Sequence, residues 1–156
     1  MKNHFLYRFG SEKGLINHSG ETLFRSQRDI HQLGDFFTVK NRDAKYILLD
    51  QEGNRAILEP VDTVYFAAPS LYVYQNNEQW KMLNSRTMEV TKLKENIQQI
   101  LIMSEGLIMA EIDDHWGFLK EDGQLSIANR YDSLQFYSEG LAAVQLIGKW
   151  GFIDPD

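Results

Sequence analysis

The chain has 156 residues and no cysteine. A disulfide framework is therefore excluded, as are thiol nucleophiles and thiolate metal sites, and the redox compartment is not written in the sequence. Apolar runs long enough to cross a bilayer as a helix are missing too. The first residues, Met1-Lys2-Asn3-His4-Phe5, lack the apolar stretch of a secretory signal, and localisation is otherwise unspecified. Positive charge is scarce: 16 Lys and Arg stand against 22 Asp and Glu, for a net charge of −6. The basic residues are dispersed, and the longest basic stretch, Lys92-Leu93-Lys94, runs straight into Glu95. Nucleic-acid backbones and anionic membrane surfaces both require a cationic face. Neither a nucleic-acid partner nor membrane insertion is expected.

What the chain contains is a repeat. Gly14, Ile47, Lys81, Gly117 and Gly151 anchor five segments whose residues fall into columns without gaps, at steps of 33, 34, 36 and 34 residues. A period in this range marks a repeat array. One position before each anchor stand Lys13, Tyr46, Trp80, Trp116 and Trp150. Two apolar residues follow it each time: Leu15-Ile16, Leu48-Leu49, Met82-Leu83, Phe118-Leu119 and Phe152-Ile153. Further on come Gly20, Gly53, Thr87 and Gly123, then an Asx column of Asp29, Asp62, Asn96 and Asp132. With 43% hydrophobic residues the chain can bury a core of its own. The reading is one repeat domain over residues 1–156, in approximate units 4–36, 37–70, 71–106, 107–140 and an incomplete 141–156.

Each unit reads as a three-stranded antiparallel meander. The first strand is the stretch ending in Leu141-Ala142-Ala143-Val144 and its counterparts, and the Trp-Gly-Phe-Ile stretch is the second. A tight turn such as Gly148-Lys149 joins them. Asp50-Gln51-Glu52-Gly53 and Lys120-Glu121-Asp122-Gly123 are hairpin signals ending on a glycine that tolerates positive φ. The third strand is expected at Leu125-Ser126-Ile127 and Ala56-Ile57-Leu58. Thr91–Ile97 is read as strand at the same place, and the Asx column is expected to turn the chain by bonding its own backbone. The array is therefore all-β. About 34 residues is short for a four-stranded propeller blade, which favours an open, curved, solenoid-like arrangement; the alternative is a closed propeller-like ring.

The segment Ser138-Glu139-Gly140-Leu141-Ala142-Ala143-Val144, followed by Gly148-Lys149-Trp150-Gly151-Phe152-Ile153-Asp154, resembles the WG-containing repeat found in many bacterial proteins. That pattern runs as an EGLA-V strand, a GKWG-aromatic-ID strand, a DG turn and a later YD pair. Tyr131-Asp132 supplies the pair, and Ser104-Glu105-Gly106-Leu107 with Trp116-Gly117-Phe118-Leu119 gives a second copy. The first three units depart from it: Lys13-Gly14 lacks the aromatic, Tyr46-Ile47 and Trp80-Lys81 lack the glycine, and Thr87 replaces the turn glycine. The resemblance implies a bacterial β-repeat module used as an interaction scaffold. It carries no catalytic residues.

Catalytic and metal constellations are not expected from the residues either, and no cofactor is. The four histidines occupy four different repeat positions, and no phosphate-cradling glycine loop is present. Asp113-Asp114-His115 is the one acid–histidine cluster and reads as a solvated turn. The acidic turns lack the ligand alternation of an EF-hand. Trp80, Trp116, Gly117, Trp150 and Gly151 are read as structural repeat positions: an indole between stacked units, and a glycine that admits a neighbouring backbone or a bulge. Along the first strands, His4/Leu6, Phe37/Val39, Leu71/Val73, Leu107/Met109 and Leu141/Ala143 are expected to face the core. The alternate set, which includes Phe5/Tyr7 and Tyr72/Tyr74, varies between units. Tyr72, Tyr74, Phe5 and Tyr7 are thus the candidate binding residues, an aromatic patch suited to a protein partner. The alternative is that a further strand layer covers them. A glycan or small ligand held by aromatic side chains is the second reading of function. An open array also leaves apolar surface at Trp150-Phe152, and self-association through exposed repeat ends follows from it.

Overall fold

The computed structural model describes residues 4–94, 96–104, 107–136 and 138–154. Among them there is no helix, and the strands form five antiparallel sheets in which every sequence neighbour is also a spatial neighbour. The first sheet contains β1 (Phe5–Phe9), β2 (Glu12–Ile16) and β3 (Thr22–Ser26). The second contains β4 (Ile30–Leu33), β5 (Phe36–Lys40) and β6 (Tyr46–Leu49). The third contains β7 (Thr63–Ala68), β8 (Leu71–Asn76), β9 (Gln79–Asn84) and β10 (Val90–Lys92). The fourth contains β11 (Ile97–Ser104), β12 (Leu107–Ile112), β13 (His115–Leu119) and β14 (Leu125–Tyr131). The fifth contains β15 (Ser133–Leu134), β16 (Ala142–Leu146) and β17 (Lys149–Ile153).

Two sheets have four strands, so about 34 residues does accommodate a four-stranded blade. The strand that the repeat columns do not reveal is the one immediately after the Asx column: β4, β7, β11 and β15. The Asx residue is followed by a strand, so the second to fifth sheets start there and are offset from units that begin at the EGLA-like strand.

The sheets stack face to face, and one hydrophobic cluster lies in each gap. Leu15 of β2 meets Phe37, Val39 and Leu49; Phe36 and Leu48 meet Tyr72, Tyr74 and Leu83. Leu71, Val73, Trp80 and Met82 meet Ile108, Ala110, Ile112 and Leu119. Leu107, Met109 and Phe118 meet Ala142 and Val144. Each inner sheet thus presents one face forward, to the next sheet, and one face back. A strand buried on both faces shows an almost unbroken apolar run, as Leu107-Ile108-Met109-Ala110 does.

The turns explain where the columns hold and where they slip. Asn77/Glu78, Asp113/Asp114 and Ile147/Gly148 all have positive φ at both turn positions, the geometry that matches strand twist in a two-residue hairpin. The turn after the anchor strand is built on an Asx side chain. Asn17 Oδ1 accepts from the N–H groups of Ser19 and Glu21, and Asp50 Oδ1 from those of Glu52 and Asn54. Asn84 Oδ1 does the same for Arg86 and Thr87, in a loop one residue longer. Positive φ there falls on Met88, which is why Thr87 needs no glycine. In the second sheet the β5–β6 turn is a longer Asx loop, with Asn41 N–H donating to Lys45 O at 2.8 Å. Val39 therefore pairs with Ile47, whereas Val73 pairs with Met82 and Met109 with Phe118. The gap-free alignment places Phe37/Val39 one residue out: they face back with Tyr72/Tyr74, not forward with Leu71/Val73.

The third strand expected at Ala56-Ile57-Leu58 is not formed. Arg55 makes a single bridge to Leu49, the chain bulges out through an exposed Leu58, and Val61 returns to bridge Tyr46. Arg55 Nη1 donates to Leu58 O at 2.9 Å and holds the bulge, and Pro60 has no N–H to give a ladder.

The Asx column does not bond its own neighbours either. Asp62 Oδ2 accepts from Asn77 N–H at 2.8 Å and Asp132 Oδ2 from Gly148 N–H at 3.1 Å, so the carboxylate clamps the hairpin tip of its own sheet. Lys45 Nζ adds an ion pair to Asp62 at 2.8 Å, and Lys13 pairs with Asp29. Lys45 first, then the Asn77 N–H, hold the Asp62 carboxyl below the ordinary carboxylate range. Its folded value is the lowered one, so its stabilisation is complete above the unfolded value, near pH ~4, and fades as pH falls through the folded value. Urea titrations of wild type and Asp62→Asn should therefore differ at neutral pH and converge in acid.

Candidate interaction surface

The expected aromatic patch divides in two. Tyr72 is 0% exposed and Tyr74 is buried beside it, covered by the second sheet. The Tyr72 hydroxyl accepts from Asp35 N–H at 2.5 Å, and its ring packs against Phe36 (4.7 Å between centroids) and Phe66 (5.4 Å). A Cβ on Gly34, itself at φ 58°, would lie 2.2 Å from that hydroxyl. Burial pushes both phenols upward from their ordinary range. Tyr72 and Tyr74 are thus core between the second and third sheets and form no surface. Phe5 and Tyr7 lie on the outer face of the first sheet, Phe5 exposed and Tyr7 half-buried. They are not brought together with the other two.

The tryptophan column is graded by its place in the stack. Trp80 is 5% exposed, inside the cluster between the third and fourth sheets, and Tyr65 stacks near it at 6.3 Å. Trp116 is half-buried against the cluster between the fourth and fifth sheets. Trp150, in the last sheet, is 54% exposed. The glycines that follow are graded too. A Cβ at Gly117 would lie 2.8 Å from the backbone of Asn129 and 2.9 Å from Ile127 O, because β14 approaches closely where its register with β13 shifts. At Gly151 it would meet nothing within 4 Å.

Apolar side chains are exposed on both end faces of the stack. On the forward face of the fifth sheet, Leu141, Trp150 and Phe152 are exposed, Phe152 at 75%. These residues hold the positions of Leu107, Trp116 and Phe118, which the next sheet covers. On the back face of the first sheet, Phe5 and Phe9 are exposed. The ends do not cover each other, so the array is open. In the sequence only the alternation Phe5, Tyr7, Phe9 marks Phe9, because its unit lacks the repeat aromatic.

Other side-chain clusters are modest. A cleft of about 560 Å³ between the first and second sheets gathers Lys13, Arg28, His31 and Lys40 around Asp29. Lys40 also sits 4.9 Å over the Tyr46 ring. Asp113 and Asp114 form a two-residue turn, with His115 Nδ1 2.9 Å from Asp113 O and Gln98 bound to Asp114. No group of three metal-ligating side chains occurs among the described residues. No helix of the described chain is long and apolar enough to cross a membrane.

Comparison with known proteins agrees with this architecture. No curated protein matches the sequence. Among solved structures, the N-terminal domain of Nup159 aligns with a TM-score of 0.50 at 14% identity, over 98% of this chain and 51% of that one. An S. cerevisiae complex of Dbp5 bound to Nup159, Gle1, IP6 and ADP aligns with the same score and identity, over 92% and 50%. The chain thus spans about half the length of these two structures, and at this identity the likeness is one of fold. Residues 116–150, from the tryptophan of β13 to that of β17, match the family described as WG containing repeat.

Proposed function

We propose that this β-repeat domain is a non-catalytic scaffold that binds protein partners through its open end. The observation that carries the reading is the forward face of the fifth sheet. There Leu141, Trp150 and Phe152 lie bare at positions where the fourth sheet's Leu107 and Phe118 are buried and its Trp116 half-buried. Contiguous exposed aromatic and aliphatic side chains are what a protein interface buries at its centre. The chain's acidic balance supports a protein partner over a nucleic acid or an anionic membrane. The non-catalytic part rests on the titratable side chains, whose acid–histidine cluster is a surface turn.

A photo-crosslinking residue at position 152 tests this in cells of the source organism. Discrete protein adducts, lost when Trp150 is also changed to serine, are the expected result. The exposed Trp150 indole is equally a platform on which a sugar ring could stack. Binding to a glycan panel with no protein adduct would replace the proposal with that second reading.

A further inference from the structure

Each hydrophobic cluster between sheets joins a forward face to a back face, and the first and fifth sheets each leave one face bare. The forward face of the fifth sheet carries Leu141, Ala143, Trp150 and Phe152. The back face of the first carries Phe5, Tyr7, Phe9 and Ile16. Pairing register places Phe5, Tyr7, Phe9 and Ile16 at the positions of Ile108, Ala110, Ile112 and Leu119, all buried by the preceding sheet. We propose that the two ends bind each other between copies: the fifth sheet of one molecule stacks on the first sheet of a second. This rests on the reading above, that the fifth sheet's forward face is an interaction surface, and it names a second copy of this chain as the partner.

Shape and charge both favour that occupant. Between the fourth and fifth sheets, Met109 on the forward side meets Ala142 and Val144 on the back side. At the ends the sizes are exchanged: Ala143 stands where Met109 does, and aromatics stand where Ile108, Ala110 and Ile112 do. The exchange runs in opposite directions on the two faces, a small forward side chain opposite large ones on the back face. The charges on the first sheet's back face are already matched within it. Arg25 pairs with Glu12 at 3.8 Å, and the Tyr7 hydroxyl donates to Glu12 at 3.0 Å. Covering that face therefore strands no single charge. The contact is heterologous, so copies add head to tail until a ring closes or a filament grows.

Sedimentation velocity with two blocked variants tests this. Trp150→Glu closes the forward face and Phe5→Glu with Phe9→Glu closes the back face; the changed side chains are solvent-exposed. Wild type should show mass rising with concentration, and each variant alone should stay monomeric, its self-affinity weakened by roughly thirty-fold or more. A one-to-one mixture should form a dimer that grows no further, since it retains one intact face of each kind. That recovery also proves both variants folded. A wild type that stays monomeric at high micromolar concentration overturns the proposal, as does a mixture that stays monomeric or a forward-blocked variant that self-associates unaided. If wild type is monomeric yet crosslinks to other proteins at position 152, the scaffold reading stands and the second copy is the part that fails.

Discussion

Tyr72→Ala is expected to lower unfolding free energy by about 3–5 kcal/mol, the range for emptying a buried aromatic site. The ring is fully buried, sits between Phe36 and Phe66, and reaches the β4–β5 turn through its hydroxyl. In a domain of this size the melting temperature should fall by roughly 10 °C. Tyr72→Phe keeps the ring and removes only the acceptor for the Asp35 N–H, so it should cost about 1 kcal/mol. Chemical denaturation of the two variants separates packing from hydrogen bonding. A Tyr72→Ala protein as stable as wild type would mean that the ring lies on a surface after all. The same burial rules out a Tyr72/Tyr74 double alanine as a clean probe of binding, since it would empty the gap between the second and third sheets.

The second large effect is expected from one motif position tested twice. Gly117→Val should destabilise by about 3 kcal/mol, because the new side chain meets the backbone of Asn129 and Ile127 and β14 must move. Gly151→Val should change stability by no more than about 0.5 kcal/mol, since that site is open. Neither glycine has positive φ, so backbone strain does not distinguish them and space alone decides. Equal losses would show that the glycine serves the strand itself and not the strand beside it.

The WG strands, their hairpin partners and the all-β stack were legible because each has a chemical requirement that recurs: a glycine where β14 closes in, two apolar residues for two buried faces, an Asx at a turn. The strands β4, β7, β11 and β15 were not. Ile30-His31-Gln32-Leu33 and Thr63-Val64-Tyr65-Phe66 share no column, since each lies at the side of its sheet and partners only one strand. The slip at Phe37/Val39 came from the longer Asn41–Lys45 loop, whose extra residue leaves the anchor columns untouched while inverting the strand before them. Tyr72 and Tyr74 look like a surface when one sheet is considered. Only the stacking of a second sheet against them shows that alternate positions of a strand can both be core. The terminal faces were legible in part: Trp150-Phe152 from the open array, Phe9 only from the structure.

The protein is an open stack in which the inner forward faces pack against the next sheet and the last is bare. The most direct test is urea denaturation of Phe118→Ala and Phe152→Ala, run dilute enough that copies are apart. The two phenylalanines share one repeat position, yet Phe118 is 1% exposed and Phe152 is 75% exposed. The open stack predicts a loss of about 3–5 kcal/mol for Phe118→Ala and under about 0.5 kcal/mol for Phe152→Ala. Comparable losses at both positions would mean that the last face is covered within a single molecule, and would contradict the account.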